Sequence, residues 1–277
     1  MMRNEWLFPN RATPPGSSAY YSVRFAPLRL RHDLAAVLAW RHEVRAVLDE
    51  VSDPGVARLK LNWWIDEIER TLENEPRHPL SHALQPVISS HKLPAAPFRQ
   101  IAAAVEDEVL RQHAADASAF EAACERDQGA LCELMARCHG VHEARTLATA
   151  RRLGGFCGRV YLIRDSGALV RKNRGIFHQA MLREHGLTAA ALAGRGHRER
   201  LPGLLAAAAQ EARAAVPPPD DFARLPTCLR VRGVILRALL EELDQSRFDL
   251  ADQYIGLTPL RKLWLAWRES RRKQETH

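Results

Sequence analysis

The sequence predicts an all-α fold in one domain, and three observations carry that reading. Ala, Leu, Arg and Glu, all good helix formers, fill the long stretches of the 277-residue chain. Apolar positions recur with a 3.6-residue period in one segment after another. No run of alternating β-branched residues is long enough to demand a sheet.

In chain order, the first 17 residues are irregular, with Pro9, Pro14, Pro15 and Gly16. A helix begins between Ser17 and Tyr20, and Pro27 interrupts it. Residues 31–50 form the next helix, with Leu34, Val37, Leu38, Val44, Val47 and Leu48 on one face. Asp53-Pro54-Gly55 has the composition of a turn. Residues 56–72 are helical, with Leu59, Trp63, Ile65, Ile68 and Leu72 apolar, and helices over 80–91, 98–112, 120–140 and 142–165 follow. A basic loop spans 171–175, broken by Asn173 and Gly175. A short helix ends at Gly186, Thr188 caps an alanine-rich stretch, and the helix over 201–215 stops at Pro217-Pro218-Pro219. Helices over 222–244 and 259–272 complete a set of about ten with no sheet, which is an all-α domain. No internal repeat or linker divides it. The expected division is an irregular segment at 1–17, a helical domain at 18–268 and a basic tail at 269–277.

Composition excludes several function classes. Hydrophobic residues are 46% and charged residues 26%, the proportions of a soluble globular protein. The formal charge of +7 suits anionic partners such as phosphates or an anionic membrane face, and a general enrichment in arginine accounts for it equally well. No basic stretch interleaved with aromatics and no phosphate-binding loop appears, so nucleic acid is not an expected partner. Five cysteines without a CxxC pair fit buried free thiols in a reducing cytosol, and the twelve histidines are read as lone surface or core side chains rather than a metal site. The start of the chain lacks the apolar core of a secretory signal, and no stretch is long enough to span a bilayer. A cytoplasmic protein, peripheral to the membrane where its basic end allows, is the expectation. That end mixes Leu260, Leu263, Trp264, Leu265 and Trp267 with Arg261, Lys262, Arg268, Arg271, Arg272 and Lys273. It fits either a docked terminal helix with a solvated tail or a helix lying on an anionic membrane.

Chemistry concentrates in three segments: 39–50, 153–165 and 174–177. Here the chain resembles the squalene/phytoene synthases, which join two prenyl diphosphates head to head. Ser18-Ala19-Tyr20, then Ala26-Pro27-Leu28-Arg29-Leu30-Arg31, match the family's opening pattern. The first Asp-rich motif falls without gaps on 39–50, the second on 153–169, and a trailing R-I-Y-L-P on 174–178. The resemblance runs from about Ser17 to Arg268 and implies the terpenoid-synthase-type helical bundle around a central cavity.

The departures from that pattern carry the functional reading. The family holds Mg²⁺ on its substrate with facing carboxylates, which lie one turn apart on a helix and supply hard oxygen ligands. Here Arg45 and Ala46 replace two of the first three acids and Asp49 remains. In the second motif Asp165 remains, Ala168 and Leu169 replace the other acids, and the family's Gln and Asn become Gly158 and Tyr161. Asp49 and Asp165 are therefore the metal candidates; a single Mg²⁺ is compatible with them, and no cofactor is required. Arg45 has two readings, an ion pair with Asp49 one turn on, or direct phosphate binding with other arginines. The diphosphate-binding candidates are Tyr20, Arg24, Arg31, Arg45, Tyr161, Arg164 and Arg174. Asp165 is expected either as a ligand or paired with Arg164, Arg171 or Arg45.

The mitochondrial complex I assembly factors of the squalene/phytoene-synthase-like type also lack intact Asp motifs. Residues 58–64, Pro76-Arg77-His78-Pro79, Cys124-Glu125-Arg126-Asp127-Gln128-Gly129 and 260–268 are similar to them. The expected function is a catalytically diverged or inactive family member that binds an isoprenoid diphosphate or lipid or serves in membrane-complex assembly. The alternative is an active Mg²⁺-dependent prenyl transferase.

Overall fold

A computed structural model of the chain describes residues 5–172, 174–192, 199–250 and 254–272. The helices are α1 (Ser18–Arg24), α2 (Arg31–Glu50), α3 (Pro54–Leu72), α4 (Pro79–His91), α5 (Ala95–Val109), α6 (Ala117–Cys124), α7 (Ala130–Cys138), α8 (Ala144–Arg164), α9 (Ser166–Arg171), α10 (Gln179–Glu184), α11 (Ala189–Leu192), α12 (Leu201–Ala214), α13 (Pro219–Ala223), α14 (Thr227–Gln245) and α15 (Pro259–Ser270). A 3₁₀ turn (Leu28–Leu30) leads into α2, and a π-helical turn (Glu125–Gly129) joins α6 to α7. No strand occurs among the described residues.

Side-chain caps account for many of the starts. Ser17 accepts from the Tyr20 amide at 3.0 Å, and Asp53 accepts from the Val56 amide at 2.8 Å. Asp53-Pro54-Gly55 is thus the beginning of α3 and not a separate turn: Asp53 caps, and Pro54 occupies the first helical position, where its missing N–H costs nothing. The helix expected over 222–244 is broken into α13 and α14 around Pro226, which has no N–H to donate and so cannot continue the helical ladder. The helix expected over 120–140 begins earlier, because Asp116 accepts from the Ala119 amide, and it carries the π turn midway. Of the loop breakers expected at 171–175, Asn173 lies outside the described residues, as do 1–4 of the irregular start and 273–277 of the basic tail, Lys273 included.

The core gathers Trp40, Phe98 and Phe156, all fully buried, and the Trp40 ring meets the edge of Phe98 at 4.9 Å. Helix α8 packs on the π turn, α7, α12 and α14, and α2 packs on α4, α5 and α7. All five cysteines are buried and free, and burial raises the Cys124, Cys157 and Cys228 thiols to about 12, so they stay protonated. Among the described residues no helix is long and apolar enough to cross a membrane.

Helix α15 docks on α14 and α1. Near its end Glu269 is buried, and its carboxylate accepts from Arg230 Nε at 2.9 Å.

Candidate functional site

Two glycines let the π turn, which carries two residues of the cavity wall, pack closely on α8. The π turn lies so near α8 that a Cβ on Gly154 would stand 2.2 Å from the Gln128 carbonyl oxygen, and one on Gly129 would stand 2.9 Å from the Arg151 oxygen. Only glycine permits that approach of backbone to backbone. The widened turn directs Asp127 and Gln128 into a cavity of about 670 Å³. Its walls combine apolar side chains such as Leu38, Phe120, Leu131 and Leu162 with a dense set of charges.

Arg41 and Arg45 are one turn apart on α2 and share a face. Arg41 makes a two-pronged pair with Asp127 (2.6 and 2.5 Å). Arg45 makes a second with Glu108 of α5 (2.7 and 3.1 Å) and also reaches Asp127 at 3.0 Å. The expected Arg45–Asp49 ion pair is therefore replaced by pairing across helices. Two carboxylates on neighbouring elements, one held in fork geometry, outcompete a single acid on the same helix. Burial opposes charge on Arg45, but Glu108 and Asp127 raise its pKa; Asp127 is likewise held below its ordinary value against burial by Arg41 and Arg45.

The two surviving motif aspartates are engaged by cations. Asp49 accepts from Lys172 and Arg174, each at 2.8 Å, and the Lys172 bond leads in lowering its pKa. Arg174 also donates to the Leu48 carbonyl at 2.6 Å, satisfying the C-terminal end of α2. Asp165 pairs with its neighbour Arg164 at 2.7 and 2.6 Å, one of the partners expected for it.

On the far wall Arg232 of α14 is 2% exposed. It donates to Gln128 Oε1 at 2.6 Å, while its Nε and Nη1 have no oxygen acceptor and the Cys157 thiol, a weak acceptor, lies alongside. The Tyr161 ring receives the guanidinium of Arg232 at 5.6 Å and that of Arg164 at 4.8 Å. The room at Gly158 is taken by Gln128, whose Cγ would lie 3.3 Å from an added Cβ.

Of the residues singled out from the sequence, Arg45, Asp49, Tyr161, Arg164, Asp165 and Arg174 line this cavity. Tyr20, Arg24 and Arg31 are not on its wall: Tyr20 stacks with Phe8 (5.2 Å), Arg24 is exposed, and Arg31 donates to the Ala26 carbonyl (3.1 Å). Sequence reasoning missed Arg41, Glu108, Asp127 and Arg232. The spacing of Arg41 to Arg45 and the acidic segment 124–129 were available signals; Arg232, inside an apolar run, had none.

The profile of the squalene/phytoene synthase family matches residues 12–265. The chain belongs to the squalene/phytoene synthase family. Among solved structures it is similar to a dehydrosqualene synthase crystallised in complex with ligand (TM-score 0.76, 17% identity, 91% of this chain and 90% of that one). It is also similar to the squalene synthase HpnC from Alicyclobacillus acidocaldarius (TM-score 0.66, 19% identity, 86% and 92%). A third is YisP from Bacillus subtilis (TM-score 0.60, 17% identity, 90% and 89%). At these identities the likeness is one of fold. No curated relative matches the chain.

Squalene/phytoene synthases act on isoprenoid diphosphates and generally use Mg²⁺ held by Asp-rich motifs. The residues present here do not fit such a metal cluster. Asp49 and Asp165 are each bonded to cationic side chains, and among the described residues no group of three or more Asp, Glu, His or Cys converges on a point.

Proposed function

We propose that this squalene/phytoene synthase family member binds an anionic isoprenoid or lipid in its cavity by arginine, and does not condense two prenyl diphosphates. The observation that carries the reading is the charge of the cavity wall: among the described residues, seven cations (Arg41, Arg45, Arg126, Arg164, Lys172, Arg174 and the 2% exposed Arg232) face five carboxylates (Asp49, Asp107, Glu108, Asp127 and Asp165). An oxyanion entering the cavity meets this excess of positive charge. Arginine keeps its charge at any physiological pH and recognises phosphate oxygens without a metal ion. The apolar wall of Leu38, Phe120, Leu131 and Leu162 suits the hydrocarbon part of the same ligand. Such a protein serves as a lipid-binding partner, the kind of role that similarity to the assembly factors implies.

Thermal unfolding with farnesyl diphosphate in EDTA tests this reading. At a hundredfold excess over Kd the expected rise in Tm is about 5 °C. Added Mg²⁺ leaves that rise unchanged, Arg232→Met removes it, and no condensed product forms. Mg²⁺-dependent release of diphosphate with formation of a joined hydrocarbon overturns the proposal and restores the prenyl transferase reading.

A further inference from the structure

Helix α15 buries Leu265, Ala266 and Glu269 and turns a different set of residues outward. Leu260 is 77% exposed, and Leu263, Trp264 and Trp267 are 42%, 52% and 45% exposed. Their spacing places them on one stripe. Arg268 stacks over Trp264 at 4.4 Å and Arg271 over Trp267 at 4.5 Å, so the stripe is aromatic and cationic together. The helix contains one acidic residue, Glu269, and it is on the buried side, paired with Arg230. The stripe itself carries no carboxylate.

We propose that this face of α15 docks on an anionic phospholipid bilayer. Tryptophan is the side chain best suited to the boundary between headgroups and acyl chains, and each arginine near an anionic surface adds attraction. The net charge of +7 acts in the same direction. A second copy of the chain fits poorly, because pairing the two stripes would bring Arg268 and Arg271 against their like. The segment just before α15 touches the cavity wall. Tyr254, 72% exposed and just before α15, lies under the guanidinium of cavity-wall residue Arg164 at 5.6 Å. The proposal rests on the exposed stripe and stands whether or not the cavity binds a ligand.

Flotation of the full chain with vesicles of phosphatidylcholine, with and without phosphatidylglycerol, tests it. The expected result is binding to the anionic vesicles alone, weakened by salt. The double variants Trp264→Ala/Trp267→Ala and Arg268→Glu/Arg271→Glu should each lower the partition coefficient by about tenfold or more. Both pairs of side chains are solvent-facing, so unfolding temperatures should stay near that of the parent. Brominated lipid should quench tryptophan fluorescence of the unaltered protein, which keeps the test decisive even if a variant fails to fold. Absence of binding, absence of quenching, equal binding by folded variants, or a dimer abolished by the same substitutions overturns the proposal.

Discussion

Replacing Asp127 by alanine is expected to destabilise the fold by about 3–5 kcal/mol, the cost of leaving buried charge without its partner. The side chain is 13% exposed, and it serves two arginines, Arg41 and Arg45, that are themselves 16% and 23% exposed. Removing it leaves Arg41 without its fork and Arg45 with Glu108 alone. Urea unfolding measures the loss. The quadruple change Arg41→Met, Arg45→Met, Glu108→Met and Asp127→Leu should recover most of it, because apolar groups of similar volume replace every member of the network and leave no stranded charge. A quadruple variant no more stable than Asp127→Ala would show that the ion network does not account for the cost.

The same carboxylate gives stability a pH dependence of definite sign. Its folded-state pKa is lowered, so the unfolded chain takes up a proton first as pH falls. The contribution is fully present above the unfolded value of about 3.9 and is lost as pH drops through the lower folded value. The stability gap between the parent and Asp127→Asn should be constant from neutral pH to about pH 5 and narrow below pH 4.

Gly154→Ala is the second large effect. Its Cβ would stand 2.2 Å from the Gln128 oxygen and 2.5 Å from both the Gln128 carbonyl carbon and the Gly129 Cα, so backbone has to move. Alanine favours a helix over glycine by about 1 kcal/mol, whereas overpacking costs about 1–3 kcal/mol and more where no side chain can yield. The clash prevails. The expected net loss of about 2–3 kcal/mol lowers Tm by roughly 4 °C. Gly203→Ala is the control: it lies within α12 with nothing inside 4 Å of an added Cβ. It should stabilise by a few tenths to about 1 kcal/mol. Equal effects at the two sites would show that the π turn is free to move away from α8.

Particular residues mark what was legible without the fold. The apolar period of 31–50 located α2, and Thr188 capped as expected, because periodicity and capping are local properties of the backbone. The gapless motif fit placed Arg45 opposite Asp165 in one cavity, because motif order survives where identity does not. Asp53-Pro54 was misread for a local reason as well: proline punctuates both turns and first helical positions.

Helical propensity, hydrophobic period and motif order alone determined that this chain is an all-α squalene/phytoene synthase family member with a depleted set of carboxylates. Only the tertiary structure decided which charges meet. Arg45 reaches Glu108 and Asp127, 63 and 82 residues away, and not Asp49 one turn on. Arg232 enters the cavity from the far end of the chain. Electrostatic partners are chosen by distance and burial in three dimensions, and neither quantity is written in the spacing of residues along the chain.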